Sequence, residues 1–104
     1  MSVAVYFIRG IPVRVLNAMV NELRRNGLWA ERHSYSIRIM YNGVFIASLH
    51  LYPGFNEAVL RLISGDPDAV STARNTVVGV LKKYLPEYVV KEVELGRAGG
   101  TYNH

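Results

Sequence analysis

Residues 58–101, AVLRLISGDPDAVSTARNTVVGVLKKYLPEYVVKEVELGRAGGT, decide the fold. Ala58 to Ile63 is a short apolar run in which Arg61 points away from Leu60 and Leu62, as in a strand. Asp66-Pro67-Asp68 then opens a helix on three agreeing signals: a capping Asp, a proline at the first helical position and acid in the first turn. Val70, Ala73, Val77, Leu81 and Tyr84 recur at helical spacing and form the buried stripe of a helix over 66–85. Lys82 and Lys83 suit its negative end, and Pro86 stops it. Tyr88 to Leu95 reads as a second strand with Val89, Val93 and Leu95 inward. Beyond it, glycines at 96, 99 and 100 predict a flexible tail over 97–104, so that 1–96 is one domain.

The preceding residues repeat this strand–helix–strand logic and add a hairpin. Ser2 to Arg9 alternates as a first strand, and Gly10 breaks it. Val13, Leu16, Met19, Val20 and Leu23 give one apolar face to a helix over 12–26, ended by Asn26-Gly27. Ser34 to Tyr41 alternates again, and Asn42-Gly43 is the strongest short hairpin signal, because its turn needs positive φ. Counting outward pairs Tyr41 with Val44, Ile39 with Ile46 and Arg38 with Ala47. One face then holds Tyr35, Ile37, Ile39, Tyr41, Val44 and Ile46, expected under the helices. The other holds Met40, Phe45, Ala47, Leu49 and Leu51 beside Ser36 and Arg38, too apolar to be left in water. Tyr52-Pro53-Gly54-Phe55 turns the chain into the 58–63 strand. The order β-α-β-β-β-α-β predicts an α+β, ferredoxin-like (split βαβ) two-layer sandwich. Both helices would lie on one face of a mainly antiparallel sheet, with the other face open.

The chain has 104 residues, half of them hydrophobic, with no cysteine and no apolar run of the roughly 20 residues a membrane span needs. Disulfides and thiolate chemistry are excluded, and a cytoplasmic location is the default. The net charge of +4 is unevenly spread. Seven arginines stand against Glu22, Glu31 and Glu57 before residue 66, whereas the remainder is neutral. Arginine forks onto phosphate and stacks on bases, so the bias points to nucleic acid. His33, His50 and His104 are scattered, no serine sits in a nucleophile elbow, and no phosphate-loop or metal-ligand spacing occurs. Neither a catalytic site, nor a metal, nor a cofactor is expected.

Two clusters remain. Arg38 and Arg61, beside Met40 and Phe45, offer guanidinium planes and a ring to unstacked bases. The weight of Met40, Phe45, Leu49 and Leu51 instead favours a protein contact with arginines at its rim. Arg24, Arg25 and Arg32, near the end of the first helix, form a candidate phosphate patch, and Arg14 and Arg97 are further candidate RNA-binding residues.

The strand ending in Arg61, the helix, the second strand and the exit Gly99-Gly100-Thr101 together resemble the ribonuclease P protein component 2 family of archaea and eukaryotes. The resemblance implies a non-catalytic subunit of the ribonucleoprotein that matures tRNA 5′ ends. The RNA would carry the chemistry, and the protein would contact that structured RNA and a partner protein subunit, as a homodimer or hetero-oligomer. The chain ends at Tyr102-Asn103-His104, where the family continues with an apolar and a basic residue. Two alternatives stand beside this: a dimeric assembly module without nucleic acid, and a small DNA-binding protein.

Overall fold

The computed structural model describes residues 10–63 and 65–95. The first helix, α1 (Val13–Arg25), starts at Pro12, whose carbonyl accepts from the Val15 and Leu16 amides at 2.9 and 3.1 Å. It buries Leu16, Met19, Val20 and Leu23, while Val13, assigned to the same face from spacing, is exposed. Gly27, at φ +91°, ends the helix in a Schellman motif. Its amide donates to the Arg24 carbonyl and the Leu28 amide to that of Leu23, both at 3.1 Å. Leu23 and Leu28 are both buried, which closes the motif with apolar surface.

Four strands follow as an antiparallel meander: β1 (Trp29–His33), β2 (Ser36–Tyr41), β3 (Val44–Tyr52) and β4 (Glu57–Ile63). A single 3-10 turn over Pro53–Phe55, closed by Asn56 at φ 51°, joins β3 to β4. Helix α2 (Pro67–Tyr84) is capped by Asp66, whose carboxylate accepts from the Asp68 amide at 3.2 Å, and it delivers the chain to β5 (Val89–Leu95), parallel to β4. The sheet order is β1-β2-β3-β4-β5. Ala30, Ile37, Ile39, Ala47, Leu49, Leu51, Ala58, Leu60 and Leu62 form one core with the buried faces of both helices. Both helices therefore lie on the same side of the sheet. The α+β class and the mainly antiparallel, one-side-covered sheet agree with the sequence. The split arrangement does not hold for the second unit, because β4 and β5 are direct hydrogen-bonded neighbours with no strand between them. The expected strand over 2–9 and the tail over 97–104 lie outside the described residues.

Three local expectations are corrected. Residues 29–33, to which the sequence reading assigns no element, form strand β1, joined to β2 by a tight turn with Ser34 at φ 55°. The β2–β3 register follows the Asn42-Gly43 count for two pairs only, Tyr41 with Val44 and Met40 with Phe45. Then Ile46 bulges, so Ile39 faces Ala47 and Arg38 faces Ser48. A bulge puts two successive side chains on one side, and both Ile46 and Ala47 are buried. Every later residue of β3 is thereby inverted. Leu49 and Leu51, expected on the open face, are 1% and 3% exposed beneath the helices. They belong to the core and cannot form a protein interface. In β5, Val89 and Val93 are exposed and it is Val90 that packs on the core. Parallel pairing sets Val90 beside buried Ala58, and Val93 beside Arg61 on the uncovered side.

Candidate nucleic-acid interface

Strand pairing places the side chains of the sheet face left uncovered among the described residues in crosswise rows. The central row runs Glu31, Arg38, Ser48, Arg61, Val93 across the five strands. To one side lie Trp29, Met40 and Phe45, and to the other His33, Ser36, His50, Val59 and Lys91. The bulge thus exchanges an aliphatic patch for a polar, cationic one. Of the four residues expected to form an apolar interface, only Met40 and Phe45 stay on this face.

Each cation of the face has a neighbour. The Arg38 guanidinium stands 5.8 Å from the centroid of the Phe45 ring, within cation–π range. Arg61 Nη1 lies 3.2 Å from His50 Nδ1. Burial, and secondarily the Arg61 charge, hold the His50 pKa below its ordinary value. Since guanidinium has only donors, His50 accepts at Nδ1 and its proton resides on Nε2. Lys91 Nζ pairs with Glu57 Oε2 at 2.9 Å near one rim, and Glu31 Oε2 accepts from Trp29 Nε1 at 3.1 Å near the other. Among the described residues, neither Arg38 nor Arg61 forms an ion pair with a carboxylate. His33, Ser36, Ile37, Arg38, Phe45, Ser48 and His50 line an open depression of about 190 Å³ between them.

The other arginines are dispersed. Arg24 is built into the scaffold: Nε and Nη2 both donate to the Ala30 carbonyl, at 3.0 and 2.8 Å, and its guanidinium stacks 4.3 Å above the Trp29 ring. Arg25 pairs with Glu22 at 3.5 Å, and Arg14 is exposed on α1, the helix that covers the opposite side. Arg32 shares a strand face with buried Ala30 and donates to the Ser34 carbonyl at 3.0 Å. No single patch therefore joins Arg14, Arg24, Arg25 and Arg32. Arg97 and Gly99-Gly100-Thr101 lie outside the described residues.

Trp29, His33, His50 and Lys91 join the face unforeseen. The signal for the first two was the alternation of Trp29, Glu31 and His33 with Ala30 and Arg32, which only a 29–33 strand exploits. Among the described residues no group of three His, Asp or Glu could hold a metal, and no helix is long and apolar enough to cross a membrane. Comparison with family models, curated proteins and solved structures finds no match.

Proposed function

We propose that this chain is a non-catalytic RNA-contacting protein that presents the uncovered sheet face to structured RNA. The observation that supports it is the Arg38–Ser48–Arg61 row, two guanidinium groups without carboxylate partners among the described residues, on a face flanked by Phe45 and Trp29. Guanidinium–phosphate contacts need no base sequence, and exposed rings add stacking. The narrower form of the proposal is a protein subunit of ribonuclease P in the cytoplasm, docked beside a partner subunit and leaving catalysis to the RNA. Its motive is the resemblance carried by Arg61 and Gly99-Gly100-Thr101.

Binding to a folded RNA should be salt-sensitive, and Arg38→Gln or Arg61→Gln should each flatten the log–log salt slope by about 0.7–0.9. Duplex DNA should compete weakly, because the 2′-hydroxyl is absent. Affinity that ignores salt and both substitutions contradicts the proposal. A second reading, an assembly module, has its own support: Tyr41, Val44, Phe45, Ile46, Ile63, Ala69 and Val70 line an apolar pocket of about 240 Å³ where the hairpin meets the start of α2. Val44→Glu at its mouth would dissociate such an assembly and leave RNA affinity unchanged.

A further inference from the structure

The rows of the uncovered face are ordered by chemistry. Phe45 is 41% exposed on the same side as Arg38, whereas Arg61 and His50 lie on β4 and β3 beyond Ser48. Arg38 and Arg61 sit two strands apart, about 10 Å by sheet geometry, with the Ser48 hydroxyl between. The depression beside them has an aromatic wall at Phe45, hydroxyls at Ser36 and Ser48, and imidazoles at His33 and His50. At about 190 Å³ this open depression has room for one base. We infer that the face takes a single-stranded segment of RNA, with one unstacked base against Phe45 in this depression and the adjoining backbone across Arg38 and Arg61. This rests on the RNA-contacting reading above and names the form of RNA it requires.

Base pairing decides between the two forms. In an A-form duplex the bases are stacked inward and the deep major groove is closed to side chains, so Phe45 would meet sugar and phosphate. A splayed base presents a π-face to the ring and its polar edge to the depression. His50 donates there from Nε2, because Arg61 occupies Nδ1. The Arg38 guanidinium, 5.8 Å from the Phe45 centroid, is in cation–π range without stacking on the ring, and a base would share or replace that contact.

The test compares fluorescence anisotropy of a labelled, non-self-complementary RNA decamer of mixed sequence with that of the same decamer annealed to its complement as a blunt duplex, on the full chain at one salt concentration. Phe45→Leu keeps an apolar side chain at an exposed position and removes the ring, while Phe45→Tyr keeps the ring. Phe45→Leu should weaken the decamer about tenfold or more, the magnitude of one lost base stack. Phe45→Tyr should stay within about twofold, and duplex affinity should ignore both. If the duplex binds as tightly as the single strand and neither RNA senses Phe45→Leu, the single-strand inference is overturned and RNA contact stands. Equal losses on both RNAs, or a tyrosine that fails to restore binding, overturn it too. If neither RNA binds the unsubstituted chain at low salt, the broader proposal falls with it.

Discussion

Arg24 and Arg38 carry the same charge and serve different ends. Arg24 closes the outer edge of the sheet, its two donors on the Ala30 carbonyl and its plane on Trp29. Among the described strands β1 lies at the sheet edge, and a free edge invites pairing with other chains, which this guanidinium blunts. Arg24→Ala should lower stability by about 1–2 kcal/mol in urea unfolding, from a charge-assisted hydrogen bond and an exposed stack, and leave RNA affinity unchanged. Arg38→Ala should do the reverse, since among the described residues its guanidinium meets the Phe45 ring and no carboxylate. His50 gives a pH signature. Its pKa is lowered first by burial and then by Arg61, so the unfolded chain binds the proton more readily than the folded one. Stability from this group is complete above the ordinary histidine range and declines as pH falls from there toward the lowered value. By NMR titration, Arg61→Gln should raise the His50 midpoint while leaving it below an ordinary histidine, because burial remains. A midpoint that does not move would contradict the Arg61–His50 contact.

The β2–β3 hairpin shows how far local sequence reaches. Asn42-Gly43 specifies the turn, with Asn42 at φ 53° and Gly43 at φ +78°, and the first two pairs follow from it. The bulge at Ile46 has no glycine or proline to announce it, and alternation counted from the turn fails there. What selects it is tertiary: with Ile46 and Ala47 both inward, Leu49 and Leu51 reach the helices, a gain that one continuous register cannot supply. Leu49→Ala should therefore cost about 2–5 kcal/mol in equilibrium unfolding, whereas Phe45→Leu should cost under about 1 kcal/mol. Similar small costs at both would restore the unbulged register. Strand β1 escaped notice for a related reason, since Ser34-Tyr35 is not a strong turn pair. Helices were plainer: the Asp66-Pro67 start of α2 and the Gly27 stop of α1 were legible because caps are local chemistry. The sites were half legible, as the paired arginines needed only strand parity but their neighbours needed the register.

At the level of the molecule, the two helices are joined where their C-terminal turns meet. Glu22 Oε1 accepts from Lys83 Nζ at 2.9 Å and from Tyr84 Oη at 2.8 Å, and these bonds hold its carboxyl below the usual carboxylate range. A lowered carboxyl stabilises the fold above the ordinary glutamate pKa, and the contribution is lost as pH falls below it. Glu22→Gln should lower the melting temperature at neutral pH and reduce the difference between neutral and acid melting. An unchanged difference would remove Glu22 from the acid response. With its helices clamped on one side, the sheet leaves its other side open among the described residues, whose arginines resolve into one central pair, Arg38 and Arg61, with Arg14, Arg24, Arg25, Arg32 and Arg74 on β1 and the helices.

Amide chemical-shift mapping during titration with a structured RNA carrying a single-stranded loop asks where that ligand sits. Perturbations should concentrate on Arg38, Phe45, Ser48, His50 and Arg61 and fade with added salt. A map centred on Arg14 and Arg25 of α1, or no perturbation at all, would contradict the assignment of the uncovered face to RNA.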